Sequence, residues 1–297
     1  MEYRKRAADQ LLADKLDAMG AVLIEGPKAC GKTTTAEQMA RSILYMDDPL
    51  KKEQYMQMAQ TNIRYLLEGP NPRLIDEWQE VPQFWDAIRF EVDHREGDGL
   101  FMLTGSAVPV HSDEIHHSGT GRFGWLTMRP MSLFESGDST NEVSIKELFA
   151  GSSEIYGKAN LDLDRLAFLV CRGGWPQSVD MKDNIALEQA FDYYDAIVHF
   201  DINRICSGKK NSQRVKNIMR SYARHQGAQV PNTTLAKDVF FNDGLQVSEE
   251  TIATYIDALR KIFVIEDALA WNPNLRSKTA IRTSSTRYYI DPSIAVA

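Results

Sequence analysis

An α/β fold built on a parallel sheet is predicted by three observations. Over the first 130 residues, short apolar runs of strand length alternate with helix-forming segments. The first of these runs leads directly into a glycine-bounded loop, and a later one ends in two adjacent carboxylates.

Leu11, Leu12, Leu16 and Met19 are spaced as one face of a short helix, which leads into the apolar strand Ala21–Ile24. The stretch from Gly20 to Thr35 reads G-A-V-L-I-E-G-P-K-A-C-G-K-T-T-T, so Gly26, Gly31, Lys32 and Thr33 satisfy G-x-x-x-x-G-K-[ST]. A chain of this length produces that pattern by accident on the order of one time in a hundred. The segment Lys32–Arg41 that follows contains no Gly or Pro and reads as a helix. Strand, loop and helix together make a phosphate cradle: backbone N–H groups of Gly26, Pro27, Lys28, Ala29, Cys30, Gly31, Lys32, Thr33 and Thr34, Pro27 excepted, and the positive end of the helix dipole would surround an anion. Lys32 would reach the β- and γ-phosphates, and the Thr33 hydroxyl would complete a Mg²⁺ shell. Cys30, inside the loop, is either a thiol activated by amide dipoles or a small packing residue.

Ser42–Met46 is a short strand, Asp47-Asp48-Pro49 a turn, and Lys51–Leu67 a helix ended by Gly69-Pro70-Asn71-Pro72. Arg73-Leu74-Ile75-Asp76-Glu77 is then a strand closing in two acids, of which Asp76 would hold Mg²⁺ through water and Glu77 would orient or deprotonate the attacking water. Phe84, Trp85, Ile88 and Val92 mark an amphipathic helix, and Leu100–Leu103 a fourth strand with Thr104-Gly105-Ser106 at its end. Ligands of parallel sheets bind at that edge, so Thr104 and Ser106 either sense the γ-phosphate and place water or cap a turn. His111, His116 and His117 lie in a polar loop without a second ligand cluster. Arg122 opens the fifth strand-like run, Phe123–Met128; it is either a solvated arginine or one that neutralises transition-state charge, within one chain or across the interface of a homo-oligomer.

Composition bounds the rest. With 297 residues, 43% hydrophobic and 25% charged, the chain is long enough for two or three globular domains. No stretch approaches the roughly 20 apolar residues of a membrane span, and no secretory segment follows the charged start Met1–Arg6, which makes the cytoplasm the expected compartment. Cys30, Cys171 and Cys206 form no disulfide or zinc pattern. The net charge of −7 is uneven: residues 201–297 hold fourteen Lys and Arg against nine Asp and Glu, a net +5, and leave −12 on residues 1–200. That split places a boundary near residue 205 and confines any anionic partner to the last third.

Leu161–Arg172 and Asn184–Arg204 read as helices around a Gly-Gly-Trp-Pro turn, with Arg172 a candidate nucleotide contact and Trp175 a packing residue. Ser212–His225, Thr233–Phe240 and Ser248–Lys261 are three further helices, followed by strand-like Phe263–Trp271 and Arg287–Ile290. Three helices and a two-stranded ribbon suggest a winged helix-turn-helix. Glu249 and Glu250 at the start of its third helix oppose a DNA reading, whereas Arg276, Lys278, Arg282 and Arg287 along the ribbon would suit phosphate contact; a protein partner fits the module as well.

Taken together, Gly-Pro-Lys-Ala-Cys-Gly-Lys-Thr-Thr-Thr, Leu-Ile-Asp-Glu-Trp-Gln, Leu-Thr-Gly-Ser-Ala, Gly-Arg-Phe and Arg-Pro-Met-Ser-Leu-Phe-Glu-Ser resemble the prokaryotic AAA-superfamily ATPases with a C-terminal domain of unknown function. The resemblance implies a five-stranded AAA-type core with helices on both faces of a parallel sheet, with Lys32 and Thr33 as Walker A, Asp76 and Glu77 as Walker B, Thr104–Ser106 in the sensor position and Arg122 in a Gly-Arg motif. It implies a core over residues 1–150, a helical lid over 151–205 and a winged-helix domain over 206–297. Members of the family usually continue past the position of Tyr288–Pro292 into a nuclease-like region, whereas this sequence runs to Ala297, so no nuclease activity is carried over. The function expected is Mg²⁺-dependent ATP hydrolysis that moves the winged-helix domain, with ATP and ADP as ligands. The alternatives are a nucleotide-controlled DNA-binding or protein-interaction module with negligible turnover and, third, a nucleotide kinase.

Overall fold

The computed structural model describes residues 2–106, 119–202, 211–270 and 284–297. The histidines His111, His116 and His117, Cys206, the boundary near residue 205 and the ribbon cations Arg276, Lys278 and Arg282 lie outside the described residues. Residues 1–129 form one compact unit and residues 130–297 another.

The first unit is a parallel five-stranded sheet, β1 (Ala21–Glu25), β2 (Ser42–Tyr45), β3 (Arg73–Asp76), β4 (Phe101–Gly105) and β5 (Phe123–Thr127), in the order β2-β3-β4-β1-β5. The unbroken apolar run of β1 follows from burial on both faces. Ala21 and Leu23 enter one core with Trp78, Phe84, Trp85, Ile88 and Phe101, while Val22 and Ile24 enter the other with Leu12, Leu16, Ala36 and Met102. Helices α3 (Lys52–Asn62) and α4 (Phe84–His94) therefore cover the first face, and α1 (Ala7–Ala18) and α2 (Lys32–Glu37) the second.

Two helices are shorter than their composition suggests, for local reasons. The helix expected to reach Arg41 ends at Glu37, because Arg41 N–H is drawn to the Pro72 carbonyl (2.9 Å) as the chain enters β2 beside β3. The helix expected through Leu67 breaks at Asn62, whose side chain accepts from Arg64 N–H; Ile63–Leu67 continues as a 3₁₀ turn.

In the second unit, α5 (Ile145–Phe149), α6 (Leu163–Arg172), α7 (Pro176–Val179) and α8 (Asp183–Ala196, continued by a π turn Ile197–Asp201) precede three helices, α9 (Ser212–Arg224), α10 (Asn232–Asp243) and α11 (Glu249–Lys261), and a short α12 (Pro292–Val296). The two expected ribbon strands are reduced to single antiparallel bridges, Ile265 with Tyr289 and Ala268 with Thr286. The Gly-Gly-Trp-Pro turn is fastened to residues far along the chain. Gly174 N–H donates to Asp291 Oδ2 (2.8 Å) and Trp175 Nε1–H to Ser293 Oγ (3.0 Å), with the Trp175 ring 4.1 Å from that of Tyr193. At Gly174 a Cβ would come within 2.1 Å of the Met131 carbonyl oxygen, which is why that position is glycine. Among the described residues no helix is long and apolar enough to cross a membrane.

Two cations expected to face ligands are instead structural. Arg172 is 3% exposed and pairs with Asp138 at 3.0 Å. Arg287 is also buried: it holds Asp267 at 2.7 Å, the Val230 carbonyl at 3.0 Å and Asn232 Oδ1 at 2.9 Å. Its guanidinium is therefore spent inside the unit and cannot face a phosphate backbone. Asp267, 4% exposed, also accepts from Tyr222 Oη and Arg260. Removing one member of a buried ion pair strands the other in low dielectric. Asp267→Ala should therefore lower the stability of the second unit by about 3–5 kcal/mol, read as a shifted urea midpoint; an unchanged midpoint would refute this role.

Candidate functional site

The parallel register fixes which residues share an edge of the sheet. Glu25 lies opposite both Gly105 and Thr127, Asp76 opposite Thr104, and Tyr45 opposite Asp76. The loop after β1, the carboxylates after β3 and the hydroxyls after β4 thus meet at one carboxyl edge.

The loop reverses direction because three positions adopt the left-handed region: Gly26 (φ 148°), Ala29 (φ 59°) and Gly31 (φ 97°). At Gly26 a Cβ would stand 2.2 Å from the Met128 carbonyl oxygen, so the loop can lie against the end of β5 only without a side chain there. Gly31 delivers the chain into α2, where Lys32 and Thr33 occupy the first turn. The Lys32 ammonium is buried and donates to the carbonyls of Gly26 (3.0 Å) and Pro27 (2.8 Å). Burial pulls its pKa below the usual lysine range. Lys28 and Thr34 flank this cradle. The Cys30 thiol is fully buried, and burial pushes its pKa up, so packing and not dipole activation describes it.

Thr33 Oγ1–H donates to Asp76 Oδ1 at 2.7 Å, and Thr104 Oγ1–H to the same oxygen at 2.5 Å. Threonine hydroxyl and aspartate carboxylate are hard oxygen donors of the type Mg²⁺ takes. Glu77 adopts a left-handed conformation (φ 54°), uncommon for a residue with a side chain and a recurrent mark of functional sites. Its carboxylate accepts from Ser106 Oγ (3.3 Å to both oxygens) and from Gln79 Nε2. Burial pushes its pKa above the ordinary glutamate value.

Arg122 does not join them. Its carbonyl accepts from Ala21 N–H at 3.1 Å, which places it at the amino edge of the sheet, about 16 Å of strand from the loop at ~3.3 Å per residue. Its guanidinium bonds Asp93 (2.9 Å) and the Thr120 carbonyl (3.0 Å). The structure thus brings Arg122 to Asp93 and not to the loop, which leaves a structural arginine or one that acts on a second copy.

Two residues have roles that the sequence did not suggest. Gln79 reaches Glu77 because the left-handed turn folds residue i+2 back onto the carboxylate. Arg6, in a charged chain start that resembles a solvated tail, is 7% exposed and donates to the carbonyls of Cys30 (2.8 Å) and Arg129 (2.7 Å). No periodicity announces either. The basic helix α9 is also less available than its composition suggests, since Lys216, Arg220 and Arg224 pair with Asp195, Asp243 and Asp238.

A sheet ordered β2-β3-β4-β1-β5, with a Gly-Lys-Thr loop after β1 and an acid pair at the end of β3, defines a P-loop nucleoside triphosphatase fold. Residues 19–136 match the family model described as "AAA domain", and residues 163–297 match that described as "Domain of unknown function (DUF8612)". Residues 19–136 thus carry an AAA-type ATPase domain, and a domain of unknown function follows it over residues 163–297. A comparison with curated proteins finds no match. Among solved structures the chain is similar in fold to the Walker-type ATPase of Pyrococcus abyssi, with 13% identity, 99% of this chain and 95% of that chain covered, and a TM-score of 0.55. Matches with TM-scores below one half include the Aeropyrum pernix ORC1 protein in complex with DNA (13% identity, 99% and 91% covered, TM-score 0.31) and the Aeropyrum pernix ORC2 protein in ADPNP-ADP complexes (12%, 88% and 85%, 0.37).

The close approach of Gly26 to the end of β5 gives a direct test. Gly26→Ala should displace the loop or lower stability by roughly 1–3 kcal/mol, seen as a reduced thermal midpoint; a variant that melts and binds nucleotide like the wild type would contradict the packing described.

Proposed function

We propose that the chain binds ATP together with Mg²⁺ and hydrolyses it. The observation that carries this reading is the convergence of Lys32, Thr33, Asp76, Thr104, Glu77 and Ser106 on one edge of the sheet, around a loop whose backbone is turned back by glycines. Backbone amides of residues 28–34 would hold the β- and γ-phosphates with Lys32. Thr33 and Asp76 would hold Mg²⁺, which supplies charge neutralisation between the phosphates. Glu77, oriented by Ser106 and Gln79, would align the attacking water and accept its proton, and Thr104 would keep Asp76 in place. Turnover would rearrange the helical lid (151–205) and the winged-helix module (206–297) in a cytoplasmic protein. The pairing of Lys216, Arg220 and Arg224 on α9 favours a protein over DNA as the partner of that module.

Glu77 must be a carboxylate to accept a proton. Burial raises its pKa, so acidification protonates it at a higher pH than a free glutamate, and turnover should fall as pH drops through that raised value. Glu77→Gln should retain ATP binding, slow hydrolysis by about 10²–10⁴-fold and abolish the acid limb; Lys32→Ala should lose nucleotide affinity. Steady-state hydrolysis and equilibrium binding check these together, and normal turnover by both variants would sink the proposal.

If Arg122 serves a neighbouring copy, Arg122→Ala should lower turnover only at chain concentrations where ATP raises the mass in solution, while ADP affinity stays within about twofold. Equal turnover by wild type and Arg122→Ala at those concentrations removes Arg122 from the reaction.

A further inference from the structure

Each buried carbonyl of the phosphate loop needs a donor, and those of Gly26 and Pro27 have the Lys32 ammonium. The peptide between Cys30 and Gly31 shows how one is satisfied. The residues on either side of Cys30, Ala29 and Gly31, are left-handed, and the Cys30 carbonyl accepts from Arg6 Nη1–H at 2.8 Å. In a planar trans peptide the C=O and the following N–H point in opposite directions. Holding the Cys30 oxygen toward Arg6 therefore aims the Gly31 N–H away from Arg6.

The same guanidinium donates from Nη2 to the Arg129 carbonyl at 2.7 Å, so one rigid fork ties the loop to the end of β5. Arg6 is itself fixed from both sides. Its N–H donates to Asp9 Oδ2 (2.9 Å) at the start of α1, and Tyr3 Oη–H donates to Asp9 Oδ1 (2.5 Å) while sharing a hydrogen bond with Thr35 Oγ1 on α2 (3.0 Å). The segment before α1 is thus bonded to the loop and to the helix that follows it.

We infer that Arg6 is a positioning residue for phosphate recognition: it holds the Cys30–Gly31 peptide in the orientation that presents the Gly31 N–H to a nucleotide's phosphates. The inference rests on the reading of this loop as a phosphate site. Arg6 acts through the main chain and touches no substrate. Its contribution should therefore be felt by ligands that fill the loop with a β-phosphate and not by those that stop at the α-phosphate.

The test measures equilibrium affinity for AMP, ADP and inorganic pyrophosphate in wild type, Arg6→Ala, Arg6→Lys and Leu12→Ala. Leu12 is a fully buried residue in the α1 core and serves as a destabilised control. Arg6→Ala should weaken ADP and pyrophosphate at least tenfold and leave AMP within about twofold; Arg6→Lys should recover part of the loss, and Leu12→Ala, measured well below its melting temperature, should lose none. Wild-type ADP affinity in Arg6→Ala would overturn the inference while leaving the phosphate site intact. An equal loss for AMP and ADP, or the same loss in Leu12→Ala, would overturn it in favour of a general fold defect. Absence of ADP and pyrophosphate binding in the wild type would instead overturn the phosphate-site reading and the inference with it.

Discussion

The contact on which the site depends is between two stretches of main chain: Gly26 lies against the carbonyl of Met128, with no room for a Cβ. Parallel pairing of β1 with β5 sets this meeting up, because Met128 N–H continues the ladder to the Glu25 carbonyl at 2.7 Å. From that point the loop has a fixed origin, and the left-handed residues after it determine where its amides and carbonyls go. Lys32 and Thr33 gain their geometry from this origin, while Asp76 is placed by the pairing of β3 with β2 and β4. A strand pairing one residue out of register would move every one of them.

Most of the first unit was legible in the sequence because its signals are local. A strand buried on both faces must be apolar throughout, as Ala21–Ile24 is, and a loop that approaches backbone closely must carry glycine. The pairing of Thr33 and Thr104 with one oxygen of Asp76 follows from sheet order, which the alternation of strands and helices suggested in class and the structure supplied in detail. The positions that escaped were those whose meaning is set by distant partners. Arg6 resembles a solvated terminal charge until Cys30 and Arg129 are placed beside it, and Gln79 is unremarkable until the turn at Glu77 bends it back.

The second unit illustrates the opposite failure, in which a correct composition misleads. Arg172, by its position in the expected lid, is a candidate nucleotide contact in the sequence, and Arg287, in a ribbon of cations without an intervening acid, suits either a phosphate or a protein partner. Each instead meets an aspartate remote in sequence, Asp138 and Asp267, and becomes part of the interior. Three of the four cations of α9 are likewise paired with carboxylates on neighbouring segments, so a net charge of +5 over residues 201–297 translates only weakly into an exposed positive face on that helix.

The fastening of Gly174 and Trp175 to Asp291 and Ser293 joins positions more than a hundred residues apart. Contacts of such separation form late, since both ends must exist before either can close. On the ribosome, the first unit has all its strands once Met128 has been synthesised, and it can condense while translation goes on. The Gly-Gly-Trp-Pro turn must wait, with the Trp175 indole N–H and the Gly174 N–H lacking their partners, until residues 291–293 have cleared the exit tunnel. For that interval the nascent chain carries a finished α/β fold followed by helices whose last partners are missing, which is the kind of surface that chaperones engage.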